Sequence, residues 1–150
     1  MKRKSGTISN RRARYDYALG DEFVVGISLT GAETKSLRRG HGDLKGAYVT
    51  VKDSTKGGEL FLFNSTIIGD GSVPIPEDER SRSRKLLAKR KEIDALIDAK
   101  KQGNTILPLE ILNKGRYIKV RIAVGRGKKK YDKREAIKKR DQERAVRREH

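Results

Sequence analysis

From Arg126 to His150 the chain has almost nothing to bury. These 25 residues carry twelve Lys or Arg and five Asp or Glu, and their only apolar members are Tyr131, Ala136, Ile137, Ala145 and Val146. No core can form there, so the fold must be built from the residues before it. The spacing permits helical ion pairs, Glu135 with Lys139 and Glu143 with Arg147. Such surface pairs give roughly 0.2–0.5 kcal/mol each, too little to hold an isolated helix in water. The segment is expected to be disordered alone and helical when a polyanion neutralises it.

The same imbalance recurs at the other end. Residues 1–14 hold six basic and no acidic residues, whereas 15–125 hold 19 basic and 15 acidic, a net of only +4 out of the chain's +17. The expected organisation is a basic N-terminal arm (1–14), a nearly balanced body (15–125) and a basic tail (126–150). Cationic ends of this kind suit nucleic acid, because each Lys or Arg that meets a phosphate releases a condensed counterion. There is no cysteine, so neither disulfides nor thiolate metal sites can brace the body. Met1-Lys2-Arg3-Lys4 is basic like the start of a signal peptide, but no apolar stretch follows it, and no segment approaches the roughly 20 apolar residues of a membrane span. A soluble cytoplasmic protein without membrane contact is the expectation.

The body reads as strands separated by turn chemistry. In Glu22–Gly31, Phe23, Val25, Ile27 and Leu29 alternate onto one face. Thr30-Gly31-Ala32-Glu33 fits a capping box and opens a short helix to Arg39, with Gly40 placed to end it. The runs 47–52 and 59–68, split by Asp53-Ser54-Thr55-Lys56-Gly57-Gly58, predict a hairpin. Residues 69–80 read as a connecting loop, and 83–101 as a helix lined by Leu86, Ile93, Leu96 and Ile97 and stopped by Gly103. A second hairpin spans 105–112 and 117–124. About five strands, two helices and tight turns give a mainly β fold with flanking helices, a small antiparallel OB-like barrel.

Nothing in the body assembles a catalytic group. His41 sits between glycines in a turn, His150 is terminal, and no nucleophile comes with a recognisable base. The acids Glu77, Asp78 and Glu79 fit a solvated loop better than a metal site. No enzyme, no metal and no cofactor are expected. RNA contact is better supported. Lys35, Arg38 and Arg39 fall near one face of the first helix, and Lys85, Lys89, Arg90 and Lys91 form a second patch. Tyr48, Phe61, Phe63 and Tyr117 lie in expected strands, where core packing is the default. Tyr131 has no core to join and is flanked by cations, which suits it to stack on an unpaired base.

Several stretches, taken in order, carry a family resemblance. They are Asn10–Tyr17 (NRRARYDY), Gly31–Arg38 (GAETKSLR), Gly42–Val49 (GDLKGAYV), Glu59–Asn64 (ELFLFN), Lys85–Ile93 (KLLAKRKEI) and Gly127–Arg134 (GKKKYDKR). The ordered set resembles the SsrA-binding protein (small protein B) family, partner of transfer-messenger RNA in bacterial trans-translation. Departures from the family pattern fall at Ala32, Thr34, Thr66, Ala88 and Lys89. The resemblance implies an OB-like barrel, monomeric when free, that binds the tRNA-like domain of transfer-messenger RNA through Asn10, Glu33, Lys35, Ser36, Arg38, Lys89 and Arg90. It further implies that the tail enters the vacant mRNA channel of the small ribosomal subunit and meets ribosomal RNA. There Tyr131 would stack near the decoding centre, with Lys128, Lys129, Lys130, Asp132, Lys133 and Arg134 beside it. A generic OB-type ribosomal or RNA-chaperone protein is the alternative.

Overall fold

The computed structural model describes residues 8–52, 58–69 and 71–127. In chain order the elements are β1 (Ile8–Ser9), α1 (Arg11–Asp16), β2 (Tyr17–Ile27), α2 (Gly31–Arg38), β3 (Gly42–Asp43), β4 (Tyr48–Lys52), β5 (Glu59–Phe63), β6 (Thr66–Ile67), β7 (Arg84–Leu87), α3 (Arg90–Lys101), β8 (Thr105–Leu112) and β9 (Lys119–Gly127), with a 3-10 turn at Glu77–Glu79 between β6 and β7. The strand order β8-β4-β5-β7-β2-β9 returns to its start because β9 also pairs with β8. Every pairing is antiparallel. The sheet is therefore a closed barrel, which leaves no strand edge among these six to be capped or charged. β3 and β6 form a separate two-stranded ladder.

The interior is filled by alternating residues of the six strands, among them Val25, Val49, Leu60, Leu62, Leu86, Ile106, Val120 and Ile122, with Leu37 of α2 and Leu96 of α3 joining the same core. β8 is buried on both faces. Ile106 and Ile111 point into the barrel, while Leu107 and Leu109 meet Ala13 of α1 and Ala123 on the outside. Pro108 interrupts β8, and the register with β9 shifts between Pro108 and Glu110. A bulge is where a strand tolerates a residue with no N–H to donate. Asn10 fills the gap, its backbone N donating to Leu109 O at 2.7 Å and its side chain to Pro108 O at 2.9 Å. Among the described residues the strands run from Ile8, paired with Ile111, to Gly127, paired with Tyr17.

The hairpins β4–β5 and β8–β9 form as the sequence predicts. So does α2, whose capping box is complete: Thr30 Oγ1 accepts from Glu33 N, and Glu33 Oε1 accepts from Thr30 N. Gly40 and Gly103 take positive φ just past α2 and α3. The stretch 83–101 differs. Its first part is not helical but the strand β7, paired with β2 and β5, and α3 starts only at Arg90. The reason is visible in β7 itself, where Arg84 and Leu86 are buried and Lys85 and Leu87 exposed. A period of two fits that burial, and the strand completes a six-stranded rather than a five-stranded barrel.

Candidate nucleic-acid interface

A buried charge cluster fixes α2 to β7. Glu33 and Arg84 are 2% and 0% exposed. Arg84 Nε donates to Glu33 Oε2 at 2.8 Å, and Arg82 donates to both carboxylate oxygens, Nε to Oε2 at 3.0 Å and Nη2 to Oε1 at 2.5 Å. The remaining Arg84 donors go to Ser65 (carbonyl and hydroxyl), and to the carbonyls of Glu79, Arg80 and Arg82. One guanidinium thereby ties α2, the turn after β5 and the segment entering β7. Burial pushes the Glu33 carboxyl up, but the bonds from Arg82, the Thr30 amide and Arg84 outweigh it and hold its pKa below the ordinary 4.5. Burial pulls the Arg84 guanidinium below its usual value, and Glu33 opposes that pull.

A second guanidinium works at the surface. Arg38, at the end of α2, donates Nη1 to Asn113 O (3.1 Å) and Gly115 O (2.9 Å), and Nη2 to Arg116 O (2.9 Å). Asn113 is buried and returns the connection, its side-chain amide donating to Leu37 O at 2.6 Å. The β8–β9 loop is therefore clamped to α2 by four hydrogen bonds.

Of the residues expected to meet RNA, Lys35, Lys89 and Arg90 are exposed, Arg90 with an i,i+4 ion pair to Asp94 at 3.2 Å. Lys89 stands just before α3, its backbone N donating to Glu92 Oε1 at 2.9 Å. Arg38 is exposed but engaged on carbonyls, and Asn10 is engaged on the β8 bulge. Glu33 and Ser36 face inward, and Ser36 Oγ is buried without a hydrogen-bond partner among the described residues. Lys85, grouped with Lys89 and Arg90 on a helix by the sequence, sits instead on β7, beside Glu59 at 3.3 Å. The tail residues Lys128, Lys129, Lys130, Tyr131, Asp132, Lys133 and Arg134 lie outside the described residues.

Core packing, the default for strand aromatics, fails for two of them, although Tyr48 does lie in β4 as expected. Tyr48 is 38% exposed and stacks on Phe63 with ring centroids 5.6 Å apart. Tyr117 is 69% exposed, two residues before β9 begins, with the Arg116 guanidinium over its ring at 5.6 Å. The turn residues Asn113-Lys114-Gly115-Arg116 directly before it were the available signal. A groove of about 310 Å³ lies between α1 and β4, with Tyr17 and Tyr48 in its wall. Among the described residues no group of three or more His, Cys, Asp or Glu is placed to hold a metal, and no helix is long and apolar enough to cross a membrane.

A small closed β-barrel that exposes Lys35, Lys89, Arg90 and a clamped basic loop has the features of an RNA-binding protein. Comparison with known proteins narrows this. The family model of the SmpB protein matches residues 7–150. The chain is 45% identical over 142 residues to an SsrA-binding protein of Lactobacillus delbrueckii subsp. bulgaricus, covering 94% of this chain and 90% of that one. It is 43% identical to that of Acholeplasma laidlawii over 134 residues, 88% and 87% of the two chains. A solved chain described as "tmRNA-SmpB: a journey to the center of the bacterial ribosome" superposes with a TM-score of 0.65 at 34% identity, covering 88% of this chain and 94% of that one. The chain belongs to the SmpB protein family.

Proposed function

We infer that the protein binds the tRNA-like domain of transfer-messenger RNA and delivers it to stalled ribosomes for trans-translation. The observation that carries this is the family match across residues 7–150, which takes in barrel and tail together. The barrel grips the RNA and the tail reads the ribosome. Lys35, Lys89 and Arg90 meet phosphates, each releasing a counterion. Asn10, Glu33, Ser36 and Arg38 belong to the same interface, Glu33 as a positioning residue that holds the Lys35 helix against β7. The tail, with Lys128, Lys129, Lys130, Tyr131, Asp132, Lys133 and Arg134, is drawn by ribosomal RNA into an mRNA channel that only a stalled ribosome leaves empty. Tyr131 stacks there. The protein, monomeric when free, acts in the cytoplasm by binding and steric exclusion rather than catalysis.

The test is affinity for the tRNA-like domain against a matched structured RNA at one fixed salt concentration. Clear preference is expected, and equal affinity would return the protein to the generic RNA binders. Because β9 runs to Gly127, the tail is best removed as residues 128–150. That deletion should leave RNA affinity intact and abolish peptide tagging on stalled ribosomes. Normal tagging by the truncated chain would end the channel account.

A further inference from the structure

We propose that Tyr117 is a base-stacking residue for the tRNA-like RNA, presented by a loop that Arg38 holds in place. The proposal rests on the functional reading above and adds a contact and a division of labour to it.

Four observations lead there. Tyr117 is the most exposed of the large hydrophobic side chains among the described residues, at 69%. The Arg116 guanidinium lies over one face of its ring at 5.6 Å, and most of the side chain is open to solvent. Its surroundings are cationic, with Lys114, Arg116 and Lys119 all exposed. An aromatic on a basic loop suits an unpaired base, because every base offers a π-face while the cations meet the backbone on either side of it.

The loop is also held before any RNA arrives. Arg38 bridges three consecutive-turn carbonyls of residues 113, 115 and 116, and the buried Asn113 bonds back to α2. Ordering a free loop on binding would cost conformational entropy, and this one has already lost it on folding. The clamp joins Tyr117 to α2, the helix that also carries Lys35. That continuity assigns Tyr117 to the RNA met by α2, the tRNA-like domain. Arg38 then serves as a positioning residue. The two guanidinium nitrogens best placed to fork a phosphate, Nη1 and Nη2, are both committed to carbonyls.

The experiment measures the full chain's affinity for the isolated tRNA-like domain as salt is varied. Tyr117→Ala should weaken binding about tenfold, the usual scale for one lost stack, and leave the slope of log affinity on log salt unchanged. Tyr117→Phe, which keeps the ring, should bind within about twofold of the wild type. Lys114→Ala supplies the contrast, lowering the slope by about 0.7–0.9 because a phosphate contact is lost. Arg38→Lys keeps the charge and loses the fork, and its loss should not add to that of Tyr117→Ala. Wild-type affinity in Tyr117→Ala, or equal losses in the Ala and Phe variants, would overturn stacking. Additive losses for Arg38→Lys and Tyr117→Ala would overturn the positioning role by showing that Arg38 touches RNA itself. Absence of any wild-type preference for this RNA is a separate result, and it would remove the functional reading and this contact with it.

Discussion

Arg84 and Arg38 solve the same geometric problem at opposite depths. Each uses one planar fork of donors to gather backbone carbonyls that the chain presents close together. Arg84 is fully buried and has the Glu33 carboxylate opposite it, whereas Arg38 is at the surface and meets only neutral carbonyls among the described residues. The difference separates two kinds of dependence. A buried charge needs its counter-charge, because water cannot replace it, while a surface guanidinium can be traded for water at small cost. The first therefore supports the barrel and the second supports only a loop.

Glu33→Ala should show the largest effect, a loss of about 3–5 kcal/mol in urea unfolding, because Arg84 is left charged and unpaired in the interior. A loss below about 1 kcal/mol would place the pair in the same class as a surface bridge and end the contrast. Acid unfolding gives an independent check. The folded Glu33 pKa lies below 4.5, so its contribution is complete above the ordinary carboxylate range and fades as pH falls through the folded value. Glu33→Gln should accordingly be less stable near neutrality and lose less between pH 5 and the acid limit than the wild type does. An acid limb as steep in the variant would assign the sensitivity to other carboxylates. Thr30→Ala removes one half of the capping box and should cost about 1 kcal/mol in the same unfolding assay. Smallest of all, Arg38→Lys should change global stability by less than about 1 kcal/mol, while speeding amide hydrogen exchange in the 113–117 loop. Unchanged exchange there would mean that the clamp does not hold the loop.

Much of the barrel was legible in local pattern. Val25 and Ile27 alternate inward as read, Thr30 and Glu33 cap α2, and glycines end α2 and α3. β7 was not legible, for a physical reason. Four residues, Arg84-Lys85-Leu86-Leu87, are too few to establish a period, and half of its buried face is an arginine. That arginine reads as surface until Glu33, 51 positions away, is brought to it by the fold. The same long-range pairing hid the inward orientation of the candidate residue Glu33, and Ser36 is buried beside Leu37 on the inner face of α2, whereas Lys35 is exposed as its charge suggests. Asn10 was read from its place in a motif, and its engagement with the Pro108 bulge depends on a contact 98 positions off. Tyr117 was assigned to a strand by extending the alternation of β9 two residues too far.

The pairing of Arg38 with carbonyls has one more consequence, in the far field. A guanidinium opposed by a carboxylate is nearly a dipole at a distance, and its potential dies away within a few ångströms. One satisfied by carbonyls is hydrogen-bonded yet still a monopole, so its whole unit of charge remains visible to an approaching polyanion out to about a Debye length, ~8 Å at physiological ionic strength. Arg38 can thus be fully occupied in holding its loop and still speed the arrival of the RNA with its whole charge, whereas Arg82 and Arg84 share the one Glu33 carboxylate and together show a single net charge for two guanidiniums.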